Sequence, residues 1–276
     1  MKNIKDFKKY TEANRKAWNE AMPKHKKVMD EKWDNMFSTG NEDFIFQKDE
    51  ELFELNKIGF KGKRIAHLSC NNGIELLSLK KNGAGKCVGF DISDNAILEA
   101  NKRAERFDIN CEFIRTDVFE IPEKYYDSFD IVYVTVGALA WIPNLDNYFK
   151  MASNLLAEDG NLFIYEHHPF AGVFPYDGEV EGDEILKIKY PYFNDEIWQE
   201  STGIDYYGGT VYDSPTSYEF SYTIGELINS LIKNGIMIER FNEYEKDIAL
   251  GHQELEKKDL KLPLCYILIG EKRNLC

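Results

Sequence analysis

The run Arg64-Ile65-Ala66-His67-Leu68-Ser69-Cys70-Asn71-Asn72-Gly73 constrains this chain more than any other stretch, because an apolar strand feeds straight into a tight turn and a helix. A second strand-like run, Val88-Gly89-Phe90, ends on Asp91. In a doubly wound sheet, neighbouring parallel strands open their carboxyl ends on one side, where nucleosides bind. A carboxylate about twenty residues after the first turn accepts hydrogen bonds from ribose hydroxyls. The two motifs together point to an adenosine-containing cofactor. The competing role for Asp91 is a helix cap, since Asp91-Ile92-Ser93-Asp94 leads into a helical run.

The remainder of the chain keeps the same rhythm. Strand-like runs fall at 64–69, 86–91, 111–115, 129–135 and 161–166, with helix-like stretches at 73–82, 94–107 and 144–157. Such alternation predicts βαβ units: an α/β, doubly wound, mainly parallel sheet. Ser93 or Asp94 caps the helix at 94–107, and Asp159-Gly160 ends the one at 144–157. Thr223-Ile224-Gly225-Glu226 is a capping box before Leu227, Ile228, Leu231 and Ile232. Residues 236–241 and 262–269 then supply a sixth and a seventh strand.

Two segments depart from that rhythm. Residues 1–58 read as a helical cap, with Phe7, Tyr10, Trp18 and Ala21 near one face until Pro23 interrupts. Residues 171–222 are rich in tyrosine and too long for a plain connection, so they read as an insertion with short strands of its own. The expected organisation is a cap (1–58), a cofactor-binding core (59–170), a substrate-pocket insertion (171–222) and the completion of the core (223–276).

Composition narrows the partners. A formal charge of −14 repels phosphate backbones, so nucleic acid is not expected. Hydrophobic residues make up 43% of the 276, enough to build a core. Cys70, Cys87, Cys111, Cys265 and Cys276 are scattered and form no C-x-x-C pair, which suits reduced thiols. Met1 to Asp6 has no apolar signal core, and no apolar run reaches membrane-spanning length. A cytoplasmic protein with no membrane partner is expected, and its oligomeric state carries no sequence signal.

The candidate site residues follow from strand ends. The turn Ser69–Gly73 has one glycine where dinucleotide binders show three, though asparagine tolerates left-handed backbone angles. A pyrophosphate needs closer backbone approach, so a nicotinamide or flavin dinucleotide is the less natural ligand. Asp117 closes the third strand in Arg115-Thr116-Asp117-Val118; its carboxylate suits an adenine amine, and the Val118 amide a ring nitrogen. Trp141, after the fourth strand, is either core packing or a wall over the cofactor, and Trp18 and His25 either close over it or pack on the core. His168, in Glu166-His167-His168-Pro169, is the candidate general base or substrate-orienting group, because imidazole titrates near neutrality; the competing role is a loop histidine satisfied by its own hydrogen bonds. Glu166 beside two histidines suggests metal chemistry, but adjacent strand residues point to opposite faces, and no metal is expected.

These motifs, with Phe129-Asp130-Ile131-Val132 and Leu156-Ala157-Glu158-Asp159-Gly160-Asn161-Leu162, occur in the order and spacing of a known family. Over about residues 60–170 the chain resembles a class I S-adenosylmethionine-dependent methyltransferase of the bacterial small-molecule branch. The resemblance implies a seven-stranded Rossmann-like fold with S-adenosyl-L-methionine as cofactor and a small-molecule methyl acceptor. It implies that the first turn touches the methionine end, Asp91 the ribose, and Asp117 with Val118 the adenine. The implied cofactor set is Leu68, Ser69, Cys70, Asn71, Gly73, Asp91, Ile92, Thr116, Asp117, Val118, Thr135 and Trp18. His67, Ser69, Asn71 and Gly73 stand where the family shows acidic-x-Gly-x-Gly-x-Gly, so only the last glycine remains. The Asn/Asp-Pro-Pro-aromatic motif of enzymes acting on base amines is absent. The alternatives are a non-catalytic protein that binds S-adenosylmethionine or S-adenosylhomocysteine, and a nicotinamide-dependent oxidoreductase.

Overall fold

The computed structural model describes residues 7–38 and 45–273. In chain order the elements are α1 (Lys8–Phe37), α2 (Asp49–Ile58), β1 (Ile65–Leu68), α3 (Ile74–Lys81), β2 (Cys87–Asp91), α4 (Asp94–Arg106), β3 (Glu112–Arg115), β4 (Phe129–Val134), α5 (Leu145–Leu155) and β5 (Leu156–His167). There follow β6 (Ile197–Glu200), β7 (Ser217–Phe220), α6 (Ile224–Lys233), β8 (Ile236–Tyr244), α7 (Gln253–Lys257) and β9 (Cys265–Lys272). Seven strands form one sheet in the order β3-β2-β1-β4-β5-β9-β8, and β6 pairs with β7 separately. The pairs from β3 to β5 are parallel, and β9 runs antiparallel to both neighbours. The order reverses between β1 and β4, which opens a crevice at the carboxyl ends of those strands.

Burial explains the central strands. Ile65, Ala66 and Leu68 of β1 and Val132, Tyr133 and Val134 of β4 are wholly covered, as a parallel sheet between two helical layers requires. Each fully buried aliphatic side chain contributes roughly 1.5–3 kcal/mol. Local signals fix the helix starts. The Ser93 hydroxyl accepts the Ala96 amide at 3.2 Å, and the Thr223–Glu226 capping box closes at 3.1 and 3.0 Å.

Several boundaries differ from expectation. Pro23 does not end the first helix; α1 runs through it. Proline removes one helical donor and leaves the carbonyl four residues back without a partner, here that of Asn19. The Asn95 side-chain amide supplies the missing bond, donating to the Asn19 carbonyl at 2.6 Å. Tertiary contact with α4 thus repairs the break. Asn95→Ala is expected to cost about 1–2 kcal/mol in urea unfolding. The cost should shrink in a Pro23→Ala background, where a backbone donor returns; an equal cost in both would disprove the repair.

The second difference is at β5, which begins at Leu156 beside Phe129 rather than at residue 161. Asp159 takes a left-handed φ of 57° where the register with β4 shifts, so Asp159-Gly160 marks a bulge and not a helix end. The third is the last strand, which starts at Cys265, three residues later than expected. The stretch 171–222 does carry two short strands, β6 and β7.

The first helix is fastened across the carboxyl edge. Arg15 makes a two-pronged bond to Asp94 at 2.8 and 3.0 Å, and Asn19 donates to the same carboxylate at 2.7 Å. Asn14 pairs with the Tyr218 backbone in both directions, at 2.8 and 2.7 Å, as a strand neighbour would. His25 donates to the Ile204 carbonyl at 2.6 Å. These contacts join α1 to both α4 and the insertion.

Candidate cofactor and acceptor site

The turn after β1 keeps a glycine-like path with one glycine. Ser69, Asn71 and Gly73 all take positive φ, at 55°, 48° and 75°. They are the three positions where the family pattern has glycines. Behind the turn, a Cβ on Gly89 would fall 2.6 Å from the Phe113 ring and 2.7 Å from Cys70 Sγ, so that glycine lets β2, β3 and the turn pack closely.

Asp91 joins this turn to the next. Its carboxylate accepts the Asn71 amide and the Ser93 amide, both at 2.8 Å. It therefore also braces the start of α4, and its two remaining lone pairs can take ribose hydroxyls. The Asp91 carbonyl receives the Thr116 amide at 2.9 Å, and β2 and β3 pair in parallel with Asp91 opposite Arg115. Asp117 thus opens on the same sheet edge as Asp91. It accepts the Phe119 amide at 3.0 Å and is 6% exposed. Burial pushes both carboxyls above their usual range, against the pull of the amides that they accept.

Other expected residues divide. Thr135 bonds His67 Nε2 at 2.9 Å, and burial drops His67 to about 3, so this imidazole is neutral. Ile92, Thr116 and Val118 are half-buried beside the two carboxylates. Trp18 sits edge-on to Trp141, with centroids 5.3 Å apart. Leu68 and Cys70 turn inward, both wholly buried in the core. Cys70 also spends its backbone groups within the fold, on the Phe90 carbonyl and the Gly73 amide. Neither side chain faces the crevice.

His168 is corrected as a candidate base. Its Nδ1 accepts the Phe170 amide at 3.0 Å, and Nε2 stands 3.0 Å from Glu243 Oε1, off the axis of a good hydrogen bond. A base needs a free lone pair aimed at the acceptor, and this one is spent on the chain itself. Its role is to hold β5 to β8.

Two acids that the sequence reading did not single out, Glu75 and Glu51, and a third that it named beside the histidines, Glu166, have raised pKa values. Glu75, in the first turn of α3, has no hydrogen bond to its carboxylate among the described residues beyond its own amide; burial pushes it up to about 7, and its charge reaches Tyr206 and Tyr207. Glu51 bonds the buried Tyr133 hydroxyl and is pushed up to about 8 by burial. Glu166 accepts the amides of Gly137 at 2.5 Å and Leu139 at 3.1 Å, pinning the loop that carries Trp141; burial pushes it up to about 7. An acid inside the apolar run Ile74-Glu75-Leu76-Leu77 was the available signal for the first.

These groups set a pH profile. Glu51, Glu75 and Glu166 hold protons more tightly when folded, so their contribution is complete below the unfolded value of 4.5 and is lost as pH rises through about 7 to 8. His67 and His167, lowered from 6.5 to about 3, contribute above 6.5 and lose that as pH falls. Three acids outweigh two histidines above the acids' unfolded value, so stability in denaturant is expected to peak near about pH 5 and fall from there to about pH 8. A rise across that upper interval would contradict the burial of the three acids.

Above the crevice, α1, the loop after β4 and the insertion bring aromatics together. His25 lies 4.5 Å from Tyr206 and 5.1 Å from Tyr207, and Trp18 lies 6.4 Å from Tyr206. A separate charged groove of about 590 Å³, lined by Lys26, Asp30, Glu31, Asp34 and Arg106, sits at the far end of α4.

A seven-stranded sheet whose order reverses between β1 and β4, with acids at two neighbouring strand ends, has the architecture of the class I S-adenosylmethionine-dependent methyltransferase fold. The comparisons agree. Residues 59–203 match the family model of a methyltransferase domain, and the chain belongs to that family. A Ubiquinone biosynthesis O-methyltransferase of Glaesserella parasuis is 32% identical over 111 residues, 38% of this chain and 46% of that protein. The match thus spans less than half of that relative. A solved S-adenosylmethionine dependent methyltransferase of Mesorhizobium loti superposes with TM-score 0.57 at 22% identity, over 80% of this chain and 97% of that one. One of Clostridium acetobutylicum has TM-score 0.57 at 13% identity, over 93% and 99%. S-adenosylmethionine-dependent methyl transfer is this family's reaction, and the nicotinamide alternative falls with the family match.

Proposed function

We propose that this chain transfers the methyl group of S-adenosylmethionine to a small-molecule acceptor held under the aromatic roof. The carrying observation is the convergence of Trp18, Trp141, Tyr206 and Tyr207 from three separate segments above the crevice. The cofactor supplies a sulfonium methyl for in-line displacement. The protein's share is alignment and exclusion of water. Asp91 and Asp117 would hold the adenosine, the turn 69–73 the methionine end, and Glu75, raised to about 7, would serve the reacting region as an acid near neutrality. Residues 171–222 serve as the acceptor-binding insertion, and 1–58 as its cap. The relative named for ubiquinone biosynthesis supports a small acceptor. The four described cysteines are free, which supports a reducing, cytoplasmic setting. Among the described residues no helix is long and apolar enough to cross a membrane.

A binding-only role drew support from the altered first turn. The left-handed Ser69 and Asn71 remove that support, because the backbone path is intact. The test is S-adenosylhomocysteine release with a panel of small phenols, amines and thiols, beside protein and RNA acceptors. Trp141→Ala should raise the acceptor KM about tenfold and leave S-adenosylhomocysteine affinity within a few-fold. Turnover only on protein or RNA, or on nothing, would reject the small-molecule reading.

A further inference from the structure

Two adjacent histidines at the end of β5 part company. His168 turns to Glu243, while His167 stacks on His252 from the loop after β8, with centroids 5.1 Å apart and planes at 16°. Asp247, on the same loop, completes a group whose ligating atoms all lie within 4.8 Å of one another. His252 is wholly buried. All four ring nitrogens of His167 and His252 are shielded from solvent and make no hydrogen bond among the described residues. The Phe174 carbonyl approaches His252 without reaching hydrogen-bond geometry. Native proteins rarely leave buried polar groups in this state.

The carboxylate is prepared in the same way. Asp247 Oδ1 accepts the Ala249 amide at 3.1 Å and Oδ2 the His252 amide at 3.0 Å, and each oxygen keeps a lone pair. Burial keeps both imidazoles neutral, the form that binds metal.

We propose that His167, Asp247 and His252 form a site for a divalent transition-metal ion, with zinc the ion that suits them best. Two imidazoles and one carboxylate are a zinc ligand set, and a tetrahedral ion would draw their atoms to roughly 3.3 Å apart. Binding would therefore draw each ligand atom inward by about an ångström. Three protein ligands leave one position for water or another small ligand. The Phe174 carbonyl is placed to orient the second nitrogen of His252, as backbone carbonyls do around ligating histidines.

The ion would fasten the root of the insertion to the sheet. The Tyr176 ring packs on His252 at 4.7 Å, and the Asp177 amide bonds the Gly251 carbonyl at 2.9 Å. The Asp177 carboxylate accepts the Gln253 and Glu254 amides at 2.7 and 3.1 Å. The site stands on its own geometry and does not depend on methyl transfer.

The experiment strips the chain with a chelator and equilibrates it with Zn²⁺ or Co²⁺. One zinc per chain should survive dialysis and raise the melting temperature. Bound cobalt should give the intense visible absorption of a four-coordinate ion. His252→Asn and His167→Asn should each weaken zinc about a hundredfold or more, with S-adenosylhomocysteine affinity little changed. Glu254→Gln, on the neighbouring exposed surface, should leave zinc binding intact. Wild-type protein that loses all its zinc, or a histidine variant with full affinity, overturns the site. If the variants fail to fold, the wild-type cobalt spectrum decides alone, since the weak bands of the hydrated ion would refute it.

Discussion

Asp91→Ala should remove nearly all the thermal stabilisation that S-adenosylhomocysteine confers on the wild-type chain. Each oxygen of this carboxylate already holds one backbone amide at 2.8 Å, which fixes its second lone pair toward the crevice. A hydrogen bond to a charged partner contributes about 1.5–3 kcal/mol, so losing two ribose contacts should weaken binding at least about hundredfold. At a ligand concentration of about 100 Kd, wild type gains about 2.7 kcal/mol; a hundredfold weaker variant gains about 0.4. Alanine also orphans the Asn71 and Ser93 amides, so the unliganded variant should melt lower as well. Measuring the shift relative to each variant's own unliganded midpoint separates the two effects. A ligand shift as large as wild type's would remove Asp91 from the ribose.

Gly73→Ala should be strongly destabilising. Gly73 has φ 75°, and a Cβ there would stand 2.4 and 2.5 Å from Phe113 ring carbons and 3.1 Å from the Ala100 Cβ. A left-handed alanine costs about 1–2 kcal/mol, and forcing atoms into packed space a further 1–3. The expected total of about 3–4 kcal/mol corresponds to a melting point roughly 10 °C lower in a chain of this size. Phe113→Ala in the same chain should recover part of the loss, because it removes the obstructing ring while leaving the backbone strain. Denaturant midpoints of the four proteins give the coupling directly. Additive losses would show that the strain of φ alone is responsible.

The parallel core was legible because its signals are local. Apolar runs of strand length, Ser93 and Thr223 as caps, and acids at strand ends report their structure within a few residues. Asp91 and Asp117 were readable for the same reason: a strand's carboxyl end is visible in one dimension. The reading failed where a distant group changed a local rule. Pro23 should have ended a helix, and Asn95 on another helix supplied the missing donor. His168 looked like a free imidazole until the Phe170 amide and Glu243 occupied it.

The sequence by itself determined the alternation of strands and helices, the acids at the strand ends and the family, since periodicity and strand-end chemistry are written in contiguous residues. Only the tertiary structure decided which side chains share a space. Ser69 and Asn71 adopt glycine's backbone angles because the packed turn holds them there. Glu75 comes within electrostatic reach of Tyr206 and Tyr207, and His167 meets Asp247 and His252, because the fold closes long loops over the sheet. Burial and partnership are properties of that closure, and no stretch of chain carries them alone.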